Sequence, residues 1–413
     1  MHKVDTLIIG GGVTGLSAAS FLGKDHNYLV VEGSNELGGY CKTTIRNGFV
    51  WDYSGHFFHF RDKEIKDWMM SDMECKVVTV NKITDIHYNN HIIDFPFQYN
   101  IHQLPKKEFI ECLKDMYNLE EVNSSNFKSF VMSTSGKGIA EKFLIPYNQK
   151  LYACDLNSLD ADAMGRFFPK PINFDELMKK LETANDYESY NGTFIYPVEG
   201  SYEFIKSLLC KVDESKIKLN TKIKHIDAAK KIAFTEDGEI KYKTLISSMP
   251  FDKLYSMLHN KSNPNLSSNK VAVFNLGFDK STKIKSHWRY FPGDEIFYRI
   301  GFYNNILGTD KMSLYVEIGA TSKQRLKEDI LLNNVMKDLQ RIGIVKDHKL
   351  VDHQFIIMDP AYVHITKNSE KDYSDFCKTY NKKGIHSIGR YGSWTYCSIE
   401  DNIIQAKKLI NKL

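Results

Sequence analysis

An α/β fold is predicted by three features of the chain. A glycine-patterned turn joins an apolar run to a helix at its start, helix formers dominate from about 102 to 186, and alternating runs fill about 264 to 358. The first feature is the most specific. "VDTLIIGGGVTGLSAASFLGK" reads as a buried strand, a tight turn and a helix, with Gly10, Gly12 and Gly15 filling G-x-G-x-x-G. A second strand, "NYLVVE", ends at Glu32, where a carboxylate would accept ribose hydroxyls. The glycines admit a pyrophosphate close to the backbone, and the helix N-terminus offers it free N–H groups and a positive dipole end. No second such pattern follows a strand, and "GKGIAE" lacks both the third glycine and the strand, so a separate NADPH domain is not expected.

The helical stretch carries the periodic runs "KKEFIECLKDMYNL" and "FDELMKKLETA" and reads as an insertion. The alternating runs "KVAVFNLGF", "EIFYRIGFY" and "KMSLYVEIGA" read as strands of a mostly antiparallel sheet, interrupted by a helix around "QRLKEDILLNNVMKDLQRIG". In "EIFYRIGFY", alternation places Glu295, Phe297, Arg299 and Gly301 on a cleft face and Ile296, Tyr298, Ile300 and Phe302 on the other. Arg289, beside Tyr290, is expected to point away from that cleft. An arginine buried among aromatics is costly unless an anion meets it, so an anionic ligand is expected at Arg299.

Composition narrows the class. Among 413 residues, 55 Lys and Arg face 51 Asp and Glu with no basic block, which argues against nucleic acid. Seven cysteines, an odd number without a CxxC pair, indicate neither a disulfide framework nor zinc. The first strand begins at Val4, leaving no room for a signal peptide, and no run of about 18 apolar residues appears, so a cytoplasmic protein is expected. The expected organisation is a cofactor domain from 1–85, 192–258 and 384–413, a helical subdomain from 100–190, and a substrate sheet from 86–99 and 259–383.

"EGSNELGGYCKTT", "IKLNTKIKHIDAAKKIAFTEDGEIKYKTLISSMP" and "GRYGSWTYCSIEDNIIQAKKLI" resemble the FAD-dependent amine oxidases and their relatives. The resemblance implies a Rossmann-like, glutathione-reductase-type FAD domain with a helical insertion and an antiparallel substrate sheet. It implies FAD contacts from Gly10, Gly12, Val13, Thr14, Gly15, Glu32, Gly33, Gly38, Gly39 and Tyr40, and adenine contacts near Ile223. The helix start at Asp401 and Asn402 would lie under the flavin, with Gly55, His56 and Arg390 beside it.

Seven shorter stretches resemble eukaryotic-type UDP-galactopyranose mutases, in the family's order: "FVWDYSGHFFHF", "IDFPFQYNIHQLPKKEF", "IPYNQKLYACDLNSLDADAMGRFF", "NGTFIYPVEGSYEFI", "HWRYFPGDEIFYRIGFYNN", "DPAYVHIT" and "GIHSIGRYGSWTYCSIEDN". Those enzymes interconvert pyranose and furanose forms of a UDP-sugar without net redox change, the reduced flavin N5 attacking the anomeric carbon. By this resemblance Arg299 pairs with the diphosphate, and Tyr290, Tyr362 and Tyr396 surround it. Arg166 and Asn191 reach the sugar, and Arg299, Arg166 and His56 stand at the reaction centre. Phe95 and Gln98 would meet uracil, Phe95 standing where the family has tyrosine. Asn148 and Tyr152 would join them, Tyr152 replacing the family's tryptophan. The cofactor would be needed in its reduced form, supplied by NAD(P)H or a reductase. The alternative is an amine or protoporphyrinogen-type oxidase or desaturase, for which converging arginine and tyrosines have no evident use.

Overall fold

The structure is a computed structural model and describes residues 2–119, 124–183 and 192–413. The strand His2–Ile9 lies at the centre of a seven-stranded sheet, parallel to Tyr28–Val31 on one side and to Glu239–Ser247 on the other. Ile385–Ser387 extends it in parallel beside Glu239–Ser247, so distant parts of the chain close one sheet. The short strands Ile232–Phe234 and His225–Asp227 add an antiparallel edge. Tyr28–Val31 is buried at every position, as a parallel strand covered on both faces requires. Helices Val13–Leu22 and Ile399–Ile410 pack on this sheet through Leu16, Ala18 and Ala19 against Ile403 and Ala406.

The second seven-stranded sheet runs in the order Leu350–Met358, Asn269–Phe278, Ser313–Thr321, Arg299–Phe302, Trp288–Tyr290, Thr84–Tyr88, His91–Asp94. It is antiparallel except where Trp288–Tyr290 meets Thr84–Tyr88. Ile300, Phe302, Leu314 and Val316 form one buried face with Leu331, Val335 and Leu339 of helix Glu328–Arg341. On the opposite face the register sets Tyr290, Arg299 and Glu317 side by side, with Trp288, Gly301 and Tyr315 in the next row. Side chains directly across neighbouring strands are close enough to interact, so these rows are built by register alone.

The structure departs from the alternation expected before Arg299. The strand starts at Arg299, and residues 291–298 form a bend. The Tyr298 N–H bonds the Glu317 carbonyl at 3.0 Å while Arg299 is the register partner of Glu317, so two consecutive residues oppose one, as in a bulge. Tyr298 and Arg299 consequently both face the cavity described below, whereas Phe297 joins Ile300 in the core beneath. Glu295 is buried against His87 at 3.1 Å instead of lining the cleft.

The helical insertion supplies Lys106–Tyr117, Phe127–Ile139, Ile145–Tyr152 and Phe174–Thr183. Ile145–Tyr152 is seated on the second sheet at Gly319, where an added Cβ would lie 1.9 Å from the Lys150 carbonyl oxygen. That close approach brings Tyr147 over the Arg299 row, its ring 5.2 Å from that of Tyr290.

Candidate functional site

A continuous cavity of about 1490 Å³ runs from the glycine turn to the Tyr290–Arg299–Glu317 row. Pockets for one small ligand usually measure about 300–1,000 Å³, so this one has room for a large cofactor and a second ligand.

At the glycine end, Gly10 holds a φ of +104°, and a Cβ on Gly15 would sit 1.9 Å from the Gly10 carbonyl oxygen. Both positions therefore exclude a side chain, and the helix starts directly behind them. Glu32 Oε2 accepts the Gly11 N–H at 2.7 Å, and its Oε1 accepts the N–H and hydroxyl of Ser34 at 2.8 and 2.9 Å. The carboxylate is thereby fixed at the tip of the second strand, with Gly33 and Ile223 alongside it in the cavity wall. The Gly38 N–H bonds the Gly11 carbonyl at 2.8 Å, clamping Gly38 and Gly39 onto the first turn. Tyr40 is held by Pro360 and Asp359 through its hydroxyl, at 3.2 and 2.9 Å.

Val13 and Thr14 line the cavity, and the Thr14 hydroxyl donates to Asn402 Oδ1 at 2.8 Å. The same oxygen accepts the Arg390 N–H at 2.7 Å, so Asn402 joins the glycine-turn helix to the C-terminal segment. Asp401 does not face the cavity. It closes a capping box with Ser398 and pairs with Arg166 and Arg61. Gly55 and His56 lie on the wall, and a Cβ on Gly55 would meet the Tyr315 hydroxyl at 2.6 Å. Burial, aided by nearby Arg390, pushes the His56 imidazole down to about 4, so the ring is neutral at physiological pH. Its Nδ1 is buried without a hydrogen-bond partner among the described residues. A side-chain-free turn, a fixed carboxylate and an orphaned ring nitrogen along one cavity fit an FAD.

The far end is lined by tyrosines and two arginines. Arg299 donates through Nε to Glu317 Oε2 and through Nη2 to Oε1, the latter at 2.8 Å. Glu317 is almost fully buried, and its Oε1 also accepts the Ser54 hydroxyl. Burial opposes the Arg299 charge and Glu317 outweighs it, so the guanidinium stays protonated. The anion beside Arg299 within the protein is therefore a carboxylate. Arg390 differs. Its guanidinium lies 4.4 Å from the Tyr396 ring and 5.3 Å from that of Tyr362, and its Nη1 donates to the Cys397 carbonyl at 3.1 Å. Among the described residues no carboxylate is paired with it. Burial raises the hydroxyls of Tyr147, Tyr290, Tyr298, Tyr315 and Tyr362, which keeps them neutral donors.

Other expected site residues are distributed unevenly. Phe95 lines the cavity with its ring 4.9 Å from Tyr290, and Arg166 lines it while paired with Asp401. Asn148 lines it too, its Nδ2 donating to the Leu144 carbonyl at 2.7 Å and its buried Oδ1 without a partner among the described residues. Gln98 and Tyr152 are buried outside the wall. Gln98 bonds the Lys170 carbonyl at 3.1 Å, and Tyr152 packs against Phe127 and Tyr362. Asn191 lies outside the described residues. Arg289 is away from the cavity as expected, held bidentately by Asp85 at 2.5 and 2.8 Å.

Sequence reasoning missed Glu317, Tyr315, Tyr147, Trp288 and Lys82. The run "SLYVEIGA" carried the signal for two of them, since Tyr315, Glu317 and Gly319 share one strand face. Lys82 lies 5.7 Å from the Phe95 ring and 5.9 Å from that of Trp288, and burial pushes its ammonium down to about 8.

Fold and cavity define a Rossmann-like α/β protein whose glycine-turn cavity has room for a flavin and a second ligand. Residues 8–71 match the family described as NAD(P)-binding Rossmann-like domain. The solved structure of reduced UDP-galactopyranose mutase superposes with a TM-score of 0.91 at 22% identity, covering 100% of this chain and 94% of that one. A protein designated a protoporphyrinogen oxidase from an Exiguobacterium species gives 0.79 at 16% identity, over 100% and 98% of the two chains. Cyclohexylamine oxidase from Brevibacterium oxydans gives 0.69 at 12%, over 99% and 98%. In sequence, human all-trans-retinol 13,14-reductase is 24% identical over 219 residues, 48% of this chain and 33% of that protein. The chain thus spans about a third of the length of that curated relative. Among the described residues no helix is long and apolar enough to cross a membrane.

Proposed function

We propose that this protein is a flavin-dependent sugar-nucleotide mutase, an isomerase that interconverts pyranose and furanose forms of a UDP-sugar of the galactose or N-acetylgalactosamine type. The observation that carries the reading is the far end of the cavity, where Arg299 and Arg390 stand among neutral tyrosine hydroxyls. That lining suits a diphosphate, whereas an amine or apolar substrate has no use for it. The degree of likeness supports the reading as well, since the mutase superposes at 0.91 and the amine oxidase at 0.69.

When bound and reduced, the flavin would supply the nucleophile that holds the sugar while its ring reopens. The protein's part is to bind the departing diphosphate and keep it in place for its return. Arg390 and Arg299 offset its charge, and Tyr290, Tyr362 and Tyr396 donate to its oxygens from fixed positions, so little reorganisation is needed as charge develops. Phe95 offers a flat face to uracil, and the orphaned Asn148 Oδ1 is an acceptor for its N–H. Neutral His56 packs beside the flavin without contributing charge, and Arg166 bounds the sugar end. Segments 1–85, 192–258 and 384–413 make up the cofactor domain, 100–190 the helical subdomain and 86–99 with 259–383 the substrate domain. The enzyme works in the cytoplasm, with electrons from NAD(P)H or a partner reductase.

The test is turnover of dithionite-reduced protein on UDP-galactopyranose and UDP-N-acetylgalactosamine, with products followed by proton NMR. Appearance of the furanose form supports the proposal, and its absence for both sugars overturns it. A second reading, an oxidase, rests on the two oxidases that share the fold. It predicts instead that substrate bleaches the oxidised flavin and that oxygen then yields peroxide.

A further inference from the structure

Arg299 cannot by itself be the net positive charge of the far end, because Glu317 is bonded to two of its nitrogens. The two residues are register partners on adjacent strands, so their closeness is dictated by the sheet and does not depend on a ligand. Glu317 makes a third contact, accepting the hydroxyl of Ser54, whose Oγ in turn accepts the Gly55 N–H at 2.7 Å. The carboxylate thus sits between the arginine and the loop carrying Gly55 and His56. A diphosphate arriving at Arg299 would meet a buried negative charge within two bonded contacts of its own site. A lone arginine would bind such an anion more tightly but could swing between rotamers.

We propose that Glu317 is a positioning residue for diphosphate recognition, an inference that rests on the function proposed above. It holds the Arg299 guanidinium in one orientation through the bidentate contact and offsets its charge. The anion is then gripped by geometry at Arg299 and by net charge at Arg390. Such an arrangement keeps the departed diphosphate from being held so tightly that it cannot return to the anomeric carbon, which a reaction with a transient leaving group requires.

The test is binding of inorganic pyrophosphate, and separately of UDP, followed through tryptophan fluorescence, Trp288 lining the cavity. Proteins compared are wild type, Glu317→Gln, Arg299→Ala and the R299A/E317Q pair, each checked for FAD content and circular dichroism. Glu317→Gln keeps the shape and removes the charge, so pyrophosphate should bind on the order of tenfold more tightly, about 1.4 kcal/mol, with a steeper salt dependence. Turnover should fall at the same time, since Arg299 is no longer fixed. Arg299→Ala should bind pyrophosphate far more weakly than wild type, and the R299A/E317Q pair should recover about tenfold of that loss. A residue with a merely structural role would weaken binding when changed.

Unchanged or weaker pyrophosphate binding in Glu317→Gln overturns the inference. If that variant fails to fold, absence of recovery in the R299A/E317Q pair overturns it equally. Should pyrophosphate respond as expected while UDP binds none of the proteins, the inference on Glu317 stands and the nucleotide reading falls.

Discussion

Gly301→Ala tests the register that builds the far end of the cavity. Gly301 lies between Trp288 and Tyr315 in the second row, and the tyrosine ring crosses directly over it. A Cβ there would sit 1.8 Å from Tyr315 Cε1 and 2.0 Å from Cζ, against an ordinary carbon contact of about 3.5–4.0 Å. The ring must therefore move by nearly 2 Å. It has little space to do so, because its hydroxyl is already pressed against Gly55 and its flanks meet Phe57 and Tyr303 at centroid distances of 6.3 and 5.2 Å. Overpacking of a tight site costs about 1–3 kcal/mol, and confinement on three sides puts this one near the upper figure. At roughly 1.2 °C per kcal/mol for a chain of this size, Tm should fall by about 3.5 °C. Tyr315 can yield only toward the cavity, so UDP affinity should drop at least tenfold, with FAD content unchanged. Differential scanning fluorimetry and UDP titration read both effects. Shortening the ring in the G301A/Y315L pair should return most of the Tm but not the UDP affinity. If Gly301→Ala keeps Tm within about 1 °C of wild type and binds UDP normally, the row geometry is wrong.

Gly15→Ala should yield colourless protein that retains little FAD, because its Cβ would lie 1.9 Å from the Gly10 carbonyl oxygen and the turn must open; the flavin absorbance of purified protein checks this. Arg289→Ala leaves Asp85 buried without its bidentate partner and should cost about 3 kcal/mol in denaturant unfolding, while UDP affinity stays within about threefold. A large loss of UDP binding there would mean that the two arginines of this stretch had been assigned the wrong way round. His56 titrates near 4 in the folded protein and near 6.5 when unfolded, so the unfolded chain takes up the proton first. Stability should therefore fall as pH drops from about 6.5 toward 4, and His56→Asn should lose about 2 kcal/mol less than wild type between pH 7 and 5. Equal pH slopes in urea titrations would contradict the burial of that ring.

The glycine turn and the two sheets were legible because each rests on local pattern. Gly10, Gly12 and Gly15 mark a turn in which Gly10 and Gly15 admit no side chain, and long alternating or apolar runs mark strands whatever their partners. Arg299 could be placed on the cavity because a charged residue in an aromatic strand has few other destinations. Its carboxylate partner could not be read, because Glu317 lies 18 positions on and meets Arg299 only through cross-strand register. The face of Tyr298 was misjudged for the same kind of reason. A bulge opposite Glu317 resets the period of two, and nothing in "EIFYR" announces it. Gln98 and Tyr152 sit in matching motifs yet lie behind the cavity wall, because a helix or turn carries a motif while packing decides which way each side chain faces.

The bond from Thr14 to Asn402 has a consequence for how the protein is made. The glycine turn is synthesised nearly four hundred residues before the strand Ile385–Ser387 and the helix carrying Asn402, which complete its surroundings. At ribosomal speeds of about 5–20 residues per second, the early turn waits for tens of seconds with its helix uncovered. Cofactor capture is then expected only once the helix carrying Asn402 has been made, and nascent chains stalled before residue 385 should emerge without flavin.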